Sequence, residues 1–151
     1  MKKIFKLFTL FLAVSLAFTV FSCKKDDDDD DSVTYNFTTA NNSLFAGSTY
    51  TLTKLYQNGT DMSAYIGTGS DQFTCSFEFK TDDTAVYKET DDTKESTETG
   101  TFKTDTANSA IQMINDDGTN IITYSSDKTT LTWAFYDKDD KCNYKLILTK
   151  Q

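Results

Sequence analysis

The stretch QFTCSFEFK, residues 72–80, decides the fold class. Phe73, Cys75, Phe77 and Phe79 alternate with Thr74, Ser76, Glu78 and Lys80. Successive side chains of an extended strand point to opposite faces, so the segment buries four apolar groups on one side and shows polar ones on the other. A helix would scatter the same residues around its axis. Downstream, Asp82-Asp83 turns the chain into a second strand, Thr84–Thr90, with Ala85 and Tyr87 inward. An acidic loop over Asp91–Glu98 then leads to a strand around Gly100-Thr101-Phe102. Ala110–Ile114 and Asn120–Tyr124 flank Asn115-Asp116-Asp117-Gly118, and Asp-Gly between apolar runs signals a hairpin. Thr129–Tyr136 and Cys142–Lys150 close the chain around Asp137-Lys138-Asp139-Asp140, and Thr49–Tyr56 opens it.

Eight strands, each next to its neighbour in sequence, predict an all-β, antiparallel up-and-down barrel, which removes exposed edges by closing. The 24 Thr after residue 31 agree, because β-branched side chains favour strands. A barrel of this size either fills with side chains or holds one small ligand. The candidate lining of such a lumen is Tyr50, Phe77, Tyr87, Phe102, Trp133 and Tyr144. Its gate is the longest connection near the first strand, Asn58 to Ser70. There Asp61 caps a short turn presenting Met62, Tyr65 and Ile66, with Gly67 and Gly69 as hinges. The alternative is a surface loop pinned by Tyr65 and Ile66.

Composition excludes whole classes of chemistry. The 151 residues include no His and no Pro, and all 15 bases are Lys. Without His there is no Ser-His-Asp triad, Cys-His dyad or His-ligated zinc. Without Arg there is no arginine finger. Residues 32–151 carry 10 Lys against 17 acids, a net charge of 10 − 17 = −7, which makes nucleic acid a poor partner. The Asp137–Asp140 turn lacks the Gly and Glu of a calcium loop, the twelfth position being Leu148. The remaining carboxylates cluster at predicted turns, and Glu78 faces solvent. No catalytic residue, metal or cofactor is expected.

The N-terminus is a targeting segment. Lys2, Lys3 and Lys6 precede an uncharged apolar run of 15 residues, Leu7–Phe21, short of the ~20 that span a bilayer as a helix. Val20-Phe21-Ser22-Cys23 resembles the lipobox of bacterial lipoproteins, with Val20 at −3, Ser22 at −1 and Cys23 at the lipidated position. The resemblance implies removal of residues 1–22 and acylation of Cys23 by palmitate-like chains that hold the protein to a membrane. Lys24-Lys25 and the run Asp26–Asp31 form a self-repelling, extended spacer. The run also resembles signals that send lipoproteins to the outer face of a Gram-negative outer membrane. The expected organisation is signal peptide 1–22, lipidated Cys with tether and linker 23–46, including a packed lead-in, and barrel 47–151.

Within the barrel, Gly47-Ser48-Thr49-Tyr50-Thr51-Leu52, Phe77-Glu78-Phe79-Lys80-Thr81-Asp82-Asp83-Thr84, Thr99-Gly100-Thr101-Phe102 and Tyr144-Lys145-Leu146-Ile147-Leu148-Thr149-Lys150 resemble the lipocalin-like domains of bacterial lipoproteins. The similarity covers residues 47–150. It departs from true lipocalins where Tyr50 replaces the Trp of the first strand and where no Arg exists to pack over it. The resemblance implies a non-catalytic binding barrel, with a small apolar ligand in the lumen. The alternative is a packed barrel whose acidic outer face meets a basic protein or a glycan. Cys75 and Cys142 fall on strands flanking the first, ~9.6 Å apart across a flat sheet and beyond disulfide reach. A bond through the lumen or at a curved end stays open beside two buried thiols.

Overall fold

The computed structural model describes residues 33–67, 72–91 and 94–151. Tyr35–Gln151 form one compact unit, and of the other, Met1–Thr34, only Val33 and Thr34 are described. The signal segment, Cys23 and the Asp26–Asp31 run lie outside the described residues.

The compact unit is all β. Its strands are β1 (Ser48–Gln57), β2 (Thr60–Asp61), β3 (Phe73–Phe79), β4 (Thr84–Asp91), β5 (Lys94–Asp105), β6 (Ala110–Asn115), β7 (Gly118–Tyr124), β8 (Thr130–Asp137) and β9 (Cys142–Lys150). β1 pairs with β3, and each later strand pairs antiparallel with the next. β9 returns to β1 from Tyr50↔Lys150 to Gln57↔Tyr144. Eight strands therefore close into the up-and-down barrel that the alternation predicts. β2 is an addition, folded back on β1 by Asn58-Gly59, both at positive φ, as a tight hairpin turn requires.

Local sequence explains the elements. β3 alternates buried and half-buried residues along its whole length, with all four of its apolar side chains inside. β1 carries a bulge between Leu52 and Lys54, so its inward positions step from Leu52 to Leu55. The extra residue shifts the side-chain phase by one and keeps both leucines in the core. β7 and β8 pair only at Thr123↔Thr132 and Tyr124↔Leu131, beyond which the wall parts.

One expected loop is strand. Asp91–Glu98 was expected as a connection, but β5 begins at Lys94 and pairs with β4 from Asp91↔Lys94 through Thr84↔Thr101. The segment Lys94–Thr97 is exposed and lacks apolar alternation, so backbone pairing with β4 holds it rather than burial.

The lead-in packs against the barrel. Thr38 bridges to Thr104, and Thr39–Leu44 form a 3-10 helix capped by the Thr38 hydroxyl, which accepts the Ala40 N–H. Phe45 is then fully buried, 4.8 Å from Tyr124 of β7, 5.8 Å from Phe79 of β3 and 6.4 Å from Tyr50 of β1 between ring centres. It lies across one end of the barrel, hereafter the plugged end. The opposite end is ringed by turns after Gln57, Asn115 and Asp137, hereafter the turn-lined end. The compact unit thus reaches back to Tyr35, ahead of the expected start at residue 47.

Candidate functional site

The six candidate lumen residues are all buried. Three of them meet in the middle of the barrel. The Phe77 ring lies 4.9 Å from Tyr87 and 5.6 Å from Trp133, and Tyr87 lies 5.6 Å from Trp133. Tyr87 is on β4 and Trp133 on β8, four strands apart in a ring of eight, so these rings touch straight across the lumen. Tyr144 joins the set through Phe135, which is 4.6 Å from Trp133 and 5.7 Å from Tyr144. Tyr50 and Phe102 gather around Phe79, toward the plugged end, and Phe79 stacks on Phe77 at 6.4 Å to join them to the central rings. Phe45, which completes that cluster, was missed from sequence. Its only signal there is an apolar Leu44-Phe45 pair just before Gly47 in a polar segment.

Polar groups occupy the lumen below the aromatic layer. Glu89 points inward, and its carboxylate accepts hydrogen bonds from Tyr87 Oη (2.9 Å) and Ser96 Oγ (3.0 Å). Burial raises its pKa, and the two hydroxyls only partly oppose this. The Tyr87 hydroxyl is raised well above its usual value, first by burial and then by Cys75 and Glu89. Gln57 Nε2 donates to Tyr144 Oη at 2.8 Å, and Asn58 Nδ2 to Cys142 Sγ at 3.3 Å.

Both described cysteines are free. Cys75 on β3 and Cys142 on β9 flank β1, as the strand order predicts. Burial pushes the Cys75 thiol up to about 12, leaving it inert at neutral pH.

In the expected lid, Asp61 Oδ1 accepts the Ser63 N–H at 2.8 Å and starts a 3-10 turn, Ser63–Tyr65. Met62 N–H is tied to Leu55 O at 2.8 Å, and Ile66 bridges to Phe73. Tyr65 is exposed, whereas Met62 and Ile66 are half-buried. Gly67 adopts positive φ, and Gly69 lies outside the described residues. The turn residues Asp127 and Asp137 are committed to local bonds: Asp127 accepts from Ser125, and from the N–H and hydroxyl of Thr129, and its pKa falls to about 2. Asp137 accepts the N–H groups of Asp139 and Asp140.

A broad concavity lies on the outside of the barrel. It is a groove of about 680 Å³ over β1, β8 and β9. Its outward lining is Tyr56, Gly59, Ala134, Tyr136, Asn143 and Lys145. Sequence reasoning missed it because its residues converge from β1 and from the β8–β9 hairpin at the far end of the chain, and each alone reads as ordinary surface. The chain matches no protein-family model and no curated protein.

Proposed function

We propose that this protein is a lipid-anchored bacterial lipoprotein, held through acylated Cys23 at the outer membrane and facing outward, whose barrel works by binding and not by catalysis. Binding takes place on the outer face. The observation that carries this is the contact of Tyr87 with Trp133 across the lumen, at 5.6 Å between ring centres. A ligand entering there has to separate rings whose mutual contacts are worth ~0.5–1.5 kcal/mol per pair beyond their buried area. The lipobox, the length of the apolar run and the acidic tether support the anchoring.

Native mass spectrometry of the detergent-solubilised chain, challenged with lipid extracts, tests the binding mode. The expected result is no lipid retained by the barrel and no change in Trp133 fluorescence. A retained lipid that shifts Trp133 emission would restore the lumen as the site. Metabolic labelling with an alkynyl palmitate should mark the chain, and Cys23→Ala should abolish the label. Protease shaving of intact cells should remove the barrel if it faces outward.

A further inference from the structure

The outer groove has a composition that selects its ligand. Tyr56, Lys145 and Ala134 lie in one cross-strand row over β1, β9 and β8, and Asn143 pairs with Tyr136 in the next row toward the turn-lined end. All five side chains are on the outer face. Ala134 and Gly59 are small, so they form a low floor. The two tyrosines stand at diagonal corners, two strands and so roughly 10 Å apart. Tyr136 is 55% exposed, so the face of its ring is open to a ligand. Phe135 and Tyr144 also border the groove, but their rings pack inside near Trp133 and against each other.

Four polar groups converge here without commitments. Among the described residues, the Tyr56 and Tyr136 hydroxyls, the Asn143 carboxamide and the Lys145 ammonium have no hydrogen-bond or ion-pair partner. Only the backbone of Asn143 is engaged, with Asn58. The groove's volume of about 680 Å³ falls within the range of small-molecule sites.

Charge narrows the ligand. Among the described residues no carboxylate lines the groove, so a cation finds nothing there to pair with. The chain's formal charge of −8 repels polyanions at long range. What fits two flat apolar ring faces, a low floor and several hydrogen-bonding groups is a neutral ring that has apolar C–H faces and many hydroxyls. We infer that the groove lined by Tyr56, Ala134, Tyr136, Asn143 and Lys145 binds a neutral carbohydrate. A pyranose stacks on the tyrosines while its hydroxyls bond Asn143 and Lys145. This rests on the outer-face reading and gives it a site and a ligand class.

Saturation-transfer difference NMR of maltotetraose, cellotetraose and mannotetraose with the detergent-solubilised full chain tests it. At least one sugar should receive saturation on its ring C–H protons, and tetragalacturonate should receive none. Tyr136→Ala should abolish the transfer. Ala134→Trp should do the same by filling the floor without touching the core. Asn143→Ala should weaken binding by up to about tenfold, the size of one net hydrogen bond. Transfer unchanged in both Tyr136→Ala and Ala134→Trp overturns the groove and leaves outer-face binding standing. Sugar binding that shifts Trp133 emission overturns both. No transfer to any neutral sugar, or equal transfer to tetragalacturonate, overturns the assignment of ligand class.

Discussion

Asp105 and Glu89 are both nearly inaccessible to solvent, 2% and 8% exposed, at opposite ends of one barrel, yet their protons behave in opposite ways. Asp105, at the plugged end, has its pKa lowered, first by the Asn108 side chain and then by the Asn36 backbone N–H. It also accepts N–H groups from Ala107 and Asn108. Four N–H donors from the lead-in and the following turn replace the water the carboxylate lost. Glu89, at the turn-lined end, has only two hydroxyls in their place, so desolvation leads and its pKa rises. Burial alone does not decide whether a carboxylate stays charged. The number of N–H donors that surround it, from side chain and backbone together, does.

The same contrast runs through the packing. The plugged end is closed by an aromatic ring and a fully used amide. The turn-lined end is closed by short acidic turns, with a wall that parts between β7 and β8. The largest effect should therefore come from removing the plug. Phe45→Ala deletes a ring with no exposure and contacts to β1, β3 and β7, and should cost ~3–5 kcal/mol. Chemical denaturation measures this. A loss below ~1 kcal/mol would mean that the lead-in is an ornament on an independently stable barrel.

Asn42→Ala should come next, at ~2–3 kcal/mol. The Asn42 amide donates to Phe102 O (2.7 Å) and Asp83 Oδ1 (2.9 Å) and accepts from Thr104 Oγ1 (3.0 Å). Its removal strands a buried carbonyl and a buried hydroxyl beneath the plug. If Phe45→Ala and Asn42→Ala report one docking event, their double mutant should cost clearly less than the sum.

Gly100→Ala tests the wall between the ends, and should cost ~1–3 kcal/mol. A Cβ there would meet the Ile114 carbonyl oxygen, which sits where β5 stops pairing with β6 and continues beside β4 alone. The close neighbour is backbone, so it cannot swing away as a side chain would. A neutral result would show that the β6–β7 hairpin gives way readily at the turn-lined end.

How much of this was legible in the sequence differs by mechanism. The period-2 pattern of residues 72–80 announces its strand because one face is buried, and the same rule carries the eight-strand barrel. Residues 94–98 hide theirs, since Lys94, Glu95, Ser96 and Thr97 are held by pairing, which leaves no mark on the side-chain pattern. Phe45 is visible as an apolar residue, but its role depends on Tyr50, Phe79 and Tyr124 meeting at one end. The outer groove is less legible still, because Tyr56 and Tyr136 become neighbours only when β9 closes against β1.

The smallest expected effect is the most diagnostic of the two carboxylates. The Glu89 pKa is raised above its ordinary value of 4.5, so the folded state holds this proton more tightly than the unfolded state does. Stability then falls as pH rises through the window between 4.5 and that raised value, and the loss is complete above it. Asp105 has the opposite sign: its contribution is fully present above the ordinary carboxylate pKa and is lost only as pH falls through its lowered value. Glu89→Gln keeps an acceptor for Tyr87 and removes the charge. It should raise Tm by a few degrees at pH 7 and converge with the wild type as the medium becomes mildly acidic. Asp105→Asn should lower Tm at pH 7, because an amide NH₂ replaces one of two oxygens that accept N–H bonds, and should converge only in strong acid. Asp140 is also raised, by burial and then by Asp137, so the difference between Glu89→Gln and wild type, rather than the wild-type curve alone, isolates Glu89. If Glu89→Gln is less stable than wild type at pH 7, the two hydroxyls outweigh desolvation. The two ends would then treat their carboxylates alike.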